Sequence, residues 1–150
     1  MTEAHPSDSA VQRSAELVVL GLLSADLGIP LVKLSLPLVD GGRVEIDAVS
    51  MDPPVLCEIW AHQGAAKPAQ RHKVMTDAMK LVLARSVLSP SAPERCRLIL
   101  AFADERAAAS FRGTSWMAAA LRSERIEVVV LELPEELREE IARAQQRQFR

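Results

Sequence analysis

Tyrosine is absent, aromatic residues make up only 3% of the chain, and there are two cysteines in 150 residues. Two thiols, Cys57 and Cys96, are too few for a disulfide scaffold and lack the paired spacing of a zinc site, and both lie in strand-like apolar runs that read as buried. With Trp60 and Trp116 the only indoles and no tyrosine, the chain lacks the aromatic series of a dedicated single-strand binder. The longest apolar runs, such as Leu17 to Leu23 and Ile126 to Leu131, stop well short of the roughly 20 residues that cross a bilayer, which excludes a membrane-spanning segment. The opening residues Met1 to Pro6 lack the basic and then apolar stretches of a secretory signal, so the reading is cytoplasmic. No Gly-rich phosphate loop follows a strand and no Gly-x-Ser-x-Gly elbow occurs, which argues against P-loop enzymes, Rossmann oxidoreductases and nucleophilic hydrolases.

What is present is the composition of an ordinary soluble globular chain. Apolar residues make up 49% and charged residues 25%, and the length suits one domain. The formal net charge of −2 disfavours a packaging protein for nucleic acid. That average hides an asymmetry: His62 to Arg85 carries Lys67, Arg71, Lys73, Lys80 and Arg85 against a single acid, Asp77, and includes His72 as well. The acidic excess collects between Glu132 and Glu140.

The order of elements reads as αβββαβαβα, an α/β fold with a mixed central sheet flanked by helices. Residues 1–13 show no apolar periodicity and read as a flexible leader to a single domain over 14–150. Ser14 is placed to cap a helix running toward Gly28. Strands are expected at Val32 to Val39, Arg43 to Ser50 and Val55 to Ala61, and their short links favour an antiparallel meander. Pro68 suits the start of a helix reaching about Arg85, with Val74, Ala78, Leu81 and Val82 as its inward stripe. A strand at Arg97 to Ala103, one helix over Glu105 to Ser123, a strand at Ile126 to Leu133 and a helix from Pro134 complete the chain. The last two strands, separated by a helix, are expected to be parallel neighbours.

Strict alternation sends Glu45, Asp47 and Val49 to one face, with Val44, Ile46 and Ala48 opposite, and groups Leu56, Glu58 and Trp60 on the next strand. A hairpin symmetric about Asp52 and Pro53 sets Asp47 directly across from Glu58, β-carbons about 4.5–5.5 Å apart. Like charges so placed need a cation, a shared proton or an exposed strand end. Asp47, Glu58 and a backbone carbonyl such as that of Ile59 make a candidate site for Mg2+ or Mn2+, where water and phosphate oxygen can complete the shell.

The element order, with Val44-Glu45-Ile46-Asp47 and Cys57-Glu58-Ile59-Trp60, resembles the restriction-endonuclease-like superfamily, the PD-(D/E)xK nucleases. The resemblance covers Ser14 to about Leu133. It implies a nuclease-fold core and makes Asp47 and Glu58 the metal ligands, with Glu16 matching an extra acid that some members carry on the first helix. Trp60 stands at the position of the family's lysine. Some members supply that lysine from the following helix, where Lys67 and Lys73 are the candidates, and Gln70 is similar to a water-orienting Gln found there. Gln70, Lys73, Asp77 and Lys80 share one helical flank.

The reading is therefore a metal-dependent hydrolase of phosphodiester bonds in nucleic acid, DNA foremost. Asp47, Glu58, Lys73, Lys67 and Gln70 would form its catalytic group, and Arg71, Lys80, Arg85, His62 and His72 would draw in phosphates. Trp60 is available either for packing or for stacking on a base. The alternative is a nuclease fold that has lost its chemistry and serves to bind nucleic acid or protein, including a second copy as a homodimer.

Overall fold

The computed structural model describes residues 6–148. Among them, five helices surround one five-stranded sheet: α1 (Pro6–Leu27), β1 (Val32–Pro37), β2 (Arg43–Met51), β3 (Pro54–Trp60), α2 (Pro68–Leu88), β4 (Arg97–Phe102), α3 (Glu105–Ala108), α4 (Trp116–Ser123), β5 (Ile126–Val130) and α5 (Glu135–Gln148). The strands lie in sequence order. β1, β2 and β3 form the antiparallel meander, and β4 and β5 join parallel to β3 and to each other. The α/β reading and the mixed sheet are thus observed.

Each face of the sheet carries its own core. Val44, Ile46, Val49, Leu56, Trp60, Leu98, Leu100 and Phe102 face α2, which presents Val74, Ala78, Leu81 and Ala84, the expected stripe with Ala84 in place of Val82 at its end. On the other face, Ala48, Val55, Cys57, Ile59, Ile99 and Ala101 pack against Val19 and Leu23 of α1 and Ile141 of α5. β3 and β4 are covered on both sides, which is why they read as unbroken apolar runs. Each large side chain among these contributes about 1.5–3 kcal/mol on burial.

Three expectations need correction. α1 begins at Pro6, so Ser14 lies inside the helix and does not cap it, and residues 6–13 belong to that helix. Residues 1–5 of the expected leader lie outside the described residues. The expected single helix over Glu105 to Ser123 is broken: α3 is one turn, a 3-10 turn spans Ala109–Phe111, and α4 starts at Trp116. Gly113 has φ of +111°, open to glycine but not to a helix, and Ser115 restarts the chain by accepting the Ala118 N–H at 3.1 Å.

The third correction concerns β2. Val44, Ile46 and Val49 belong to one face and Ala48 to the other, against strict alternation. The cause is an irregularity in the β1–β2 ladder, where Leu34 pairs with Ile46 but Val32 pairs with Val49, so β2 carries one extra residue there. Asp47 sits in that extra stretch.

At the carboxyl end of β4, Asp104 fixes the segment that follows β3. Its buried carboxylate accepts the Gly64 N–H at 2.7 Å and the Arg106 N–H at 3.0 Å, and pairs with the Arg106 guanidinium at 2.8 Å. Burial would raise its pKa, but these hydrogen bonds outweigh that and hold it below the usual value. Asp104→Ala is expected to cost about 1–3 kcal/mol in urea denaturation, since it removes a cap and leaves the half-buried Gly64 N–H without its acceptor. In the parent protein the contribution of Asp104 is present at neutral pH and fades as acid protonates the carboxylate in the unfolded and then the folded chain.

Candidate carboxylate site

The β2–β3 ladder pairs Met51 with Pro54, Ser50 with Val55, Val49 with Leu56 and Ala48 with Cys57. Continued by one residue, that register sets Asp47 against Glu58, as symmetry of the hairpin implied. Backbone pairing ends at Ala48, and the Asp47 carboxylate takes the place of the next ladder acceptor: its Oδ2 receives the Ile59 N–H at 2.9 Å. The extra residue in β2 and this side-chain bond together part the two strands at the acidic pair.

Glu58 is 3% exposed, on the α2 side of the sheet. Burial, a hydrogen bond with Asp47 and the charge of Asp47 push its pKa up to about 9. At neutral pH the Glu58 carboxyl therefore keeps its proton. Lys80 on α2 opposes the shift, with Nζ 2.8 Å from Glu58 Oε1 and 3.9 Å from Asp77. The approach to Oε1 is close but poorly directed, and that oxygen has no well-formed hydrogen bond.

The other side of Asp47 opens into a cleft of about 190 Å³, lined by Arg13, Glu16, Leu17 and Leu20 of α1, Lys33 of β1, Asp47 and Ile59. Glu16 is half-buried there, and burial and the charge of Asp47 raise its pKa. It faces the pair electrostatically without joining it as a third ligand. Among the described residues, no group of three or more His, Cys, Asp or Glu side chains gathers closely enough to hold a metal ion. The carboxyl groups that meet are those of Asp47 and Glu58.

The structure brings some of the remaining candidates to this site and leaves others elsewhere. Lys73 stands 6.0 Å from the Trp60 ring centroid, beside Trp60 and not on the carboxylates. The lysine that reaches them is Lys80, two helical turns later on the same flank, so it is not free to bind phosphate as expected. Asp77, on that flank, has its pKa raised by burial and by Asp47. Gln70 accepts the Lys67 N–H at 2.9 Å and thereby closes the first turn of α2. Arg71 and His72 lie on that first part of α2, His72 exposed.

Arg85 lies far from the pair. It bonds Glu124 after α4, at the end of the sheet where β4 begins, with 2.6 Å between guanidinium and carboxylate. His62 stacks on Trp60 with ring centroids 4.3 Å apart, and its Nε2 lies 3.3 Å from the Gln12 amide nitrogen. Burial and Lys73 lower the His62 pKa, which keeps the ring neutral, and its Nδ1 is buried without a partner. Trp60 is 7% exposed and forms part of the core, so its ring is not available to a base. Cys57 is buried with its thiol pushed up to about 12, chiefly by burial, consistent with an inert core residue.

Sequence reasoning missed two contributors and the reach of a third. Arg13 and Lys33 enter only because α1 packs across the parted strands, a tertiary placement with no local signal. Lys80 was legible on the helical wheel, but its depth was not.

The raised pKa of Glu58 has a definite sign. The unfolded carboxyl loses its proton near the ordinary value and the folded one only near 9, so this group lowers stability progressively as pH rises between them. Glu58→Gln, which keeps the amide available to Asp47, is expected to remove that slope, at most about 1.4 kcal/mol per pH unit. Urea denaturation from about pH 5 to pH 9 checks it: the parent should weaken more steeply than the variant across that range.

No protein-family model and no curated protein matches the chain. A solved structure described as EndoMS in apo form is similar, with a TM-score of 0.43 and 18% sequence identity over 81% of this chain. The match covers 47% of that protein, so the chain spans less than half its length.

Proposed function

We propose that the chain hydrolyses phosphodiester bonds in nucleic acid with the help of a divalent cation held at Asp47 and Glu58. The observation that carries this reading is the enforced closeness of two carboxyl groups where β2 parts from β3, one of them buried with an unsatisfied oxygen. Burying Glu58 against Asp47 costs desolvation and charge repulsion, which the retained proton and the Lys80 ammonium offset. Asp47 and Glu58 would hold a small oxygen-seeking cation in place of that proton. Magnesium or manganese bound there would offset charge on a phosphate and make water more acidic.

The chain's own residues supply the rest. Asp47 is oriented by the Ile59 N–H. Lys80 provides the ammonium group that Trp60 denies to β3, and it approaches from α2 instead. In this reading Lys80 leaves Glu58 when the cation binds and is free to orient water or phosphate. Glu16, with its raised pKa, stands on the cleft side as a proton acceptor or donor. Lys73 contributes positive potential near Trp60 and holds no place on the reacting groups.

A second reading keeps support from a specific contact. The Lys80 ammonium at 2.8 Å and the proton retained on Glu58 already compensate the acidic pair without any cation. A chain stabilised in that way serves as a binding or assembly module, for nucleic acid or for a second copy of itself.

The two readings separate in one experiment. With magnesium or manganese, the purified protein is expected to nick plasmid or shorten single strands. Asp47→Ala should reduce that rate roughly 1,000-fold, the several kcal/mol of charge stabilisation that the cation supplies, while retaining the circular dichroism spectrum. Magnesium should raise the Tm of the parent and leave that of Asp47→Ala unchanged. Absence of cleavage together with a Tm indifferent to either ion would favour the module.

A further inference from the structure

Resting on the hydrolase reading, the geometry points to the substrate form: we propose that a single nucleic-acid strand enters by the cleft between α1 and the parted strands, with Arg13 binding its phosphate. Of the cations named from sequence on α2, the one that reaches the acidic pair is already engaged, and Arg85 lies far from it. Lys80 is held by Glu58 and Asp77, and Arg85 is held by Glu124 at the other end of the sheet. Asp47 opens instead toward α1, where Arg13 and Lys33 flank the cleft. Arg13 makes no ion pair among the described residues, and Lys33 is engaged only by Glu45 in a surface pair whose side chains are both more than half exposed. Such a pair exchanges readily with a phosphate.

The cleft's size and walls select the substrate. At about 190 Å³ it admits a phosphate and part of its sugar to the level of Asp47, but not a rod as broad as a duplex. Leu17, 70% exposed on the same helix face, gives the rim an apolar surface for a ribose or base edge. No aromatic side chain lines the cleft, so stacking does not contribute and binding runs through the backbone. Glu16 and Asp47 make the cleft acidic, and a divalent cation held at Asp47 would offset that repulsion toward phosphate.

Fluorescence anisotropy with a labelled single-stranded oligothymidylate, in calcium, tests this, with a duplex of the same length as comparison. Arg13→Glu is expected to weaken single-strand binding about tenfold or more and to lower the salt slope by about 0.7 for each phosphate that is no longer neutralised. Arg95→Glu, an equal change of charge at an exposed position where β4 begins, should leave binding within about twofold. Equal weakening in the two variants, no weakening in either, no binding by the parent, or a duplex held as tightly as the single strand would each overturn the inference. Arg13-dependent binding without any cleavage by the parent would keep the strand entry and discard the hydrolase reading. Cleavage that persists while binding ignores Arg13→Glu would do the reverse.

Discussion

The site depends on one unfavourable meeting: the Asp47 and Glu58 carboxyl groups are forced together where the β2–β3 ladder stops. Glu58 cannot turn away, because β3 is packed on both faces and its side chain is already buried beneath α2. Asp47 cannot withdraw either, since its carboxylate replaces a strand as the acceptor for the Ile59 N–H. The chain relieves the repulsion in three ways at once, by a retained proton, by Lys80, and by opening the strands toward a cleft. In the proposed reading each relief would also be a chemical resource: a displaceable proton, a movable ammonium group and a path for substrate.

Lys80 explains how Trp60 can occupy the third strand's last position. The indole is a core residue, packed with Val74, Phe102 and Ala107 and covered by His62 and Lys73. A lysine there would have to bury its stem in that cluster. Moving the ammonium group to α2 lets β3 end in packing while positive charge still reaches Glu58. In the proposed reading the first phosphate contact falls to Arg13 of α1 and Lys33 of β1, with Lys80 held at Glu58 until a cation binds.

Much of this was legible from sequence because it follows from short-range rules. Short links between the first three strands demanded a meander, apolar runs separated by a helix demanded parallel neighbours, and a symmetric turn fixed Asp47 against Glu58. What escaped depended on single residues whose effect is not periodic. The extra residue in β2 changes which side chains share a face, and no pattern in Val44 to Val49 announces it. Gly113 and Ser115 break a stretch that otherwise reads as helix. A helical wheel likewise gives the flank but not the depth, so it does not separate Lys73, beside Trp60, from Lys80, two turns later at Glu58. Arg85 was misjudged because charge runs along a sequence ignore a partner, Glu124, brought in by later elements.

If the acidic pair is built for a metal, it must exchange its proton for a divalent cation. Isothermal titration calorimetry with magnesium at neutral pH, repeated in buffers of different ionisation enthalpy, measures that exchange directly. One binding event is expected, releasing about one proton per ion and vanishing in Asp47→Ala. Binding without proton release, or no heat in the parent protein, would contradict it.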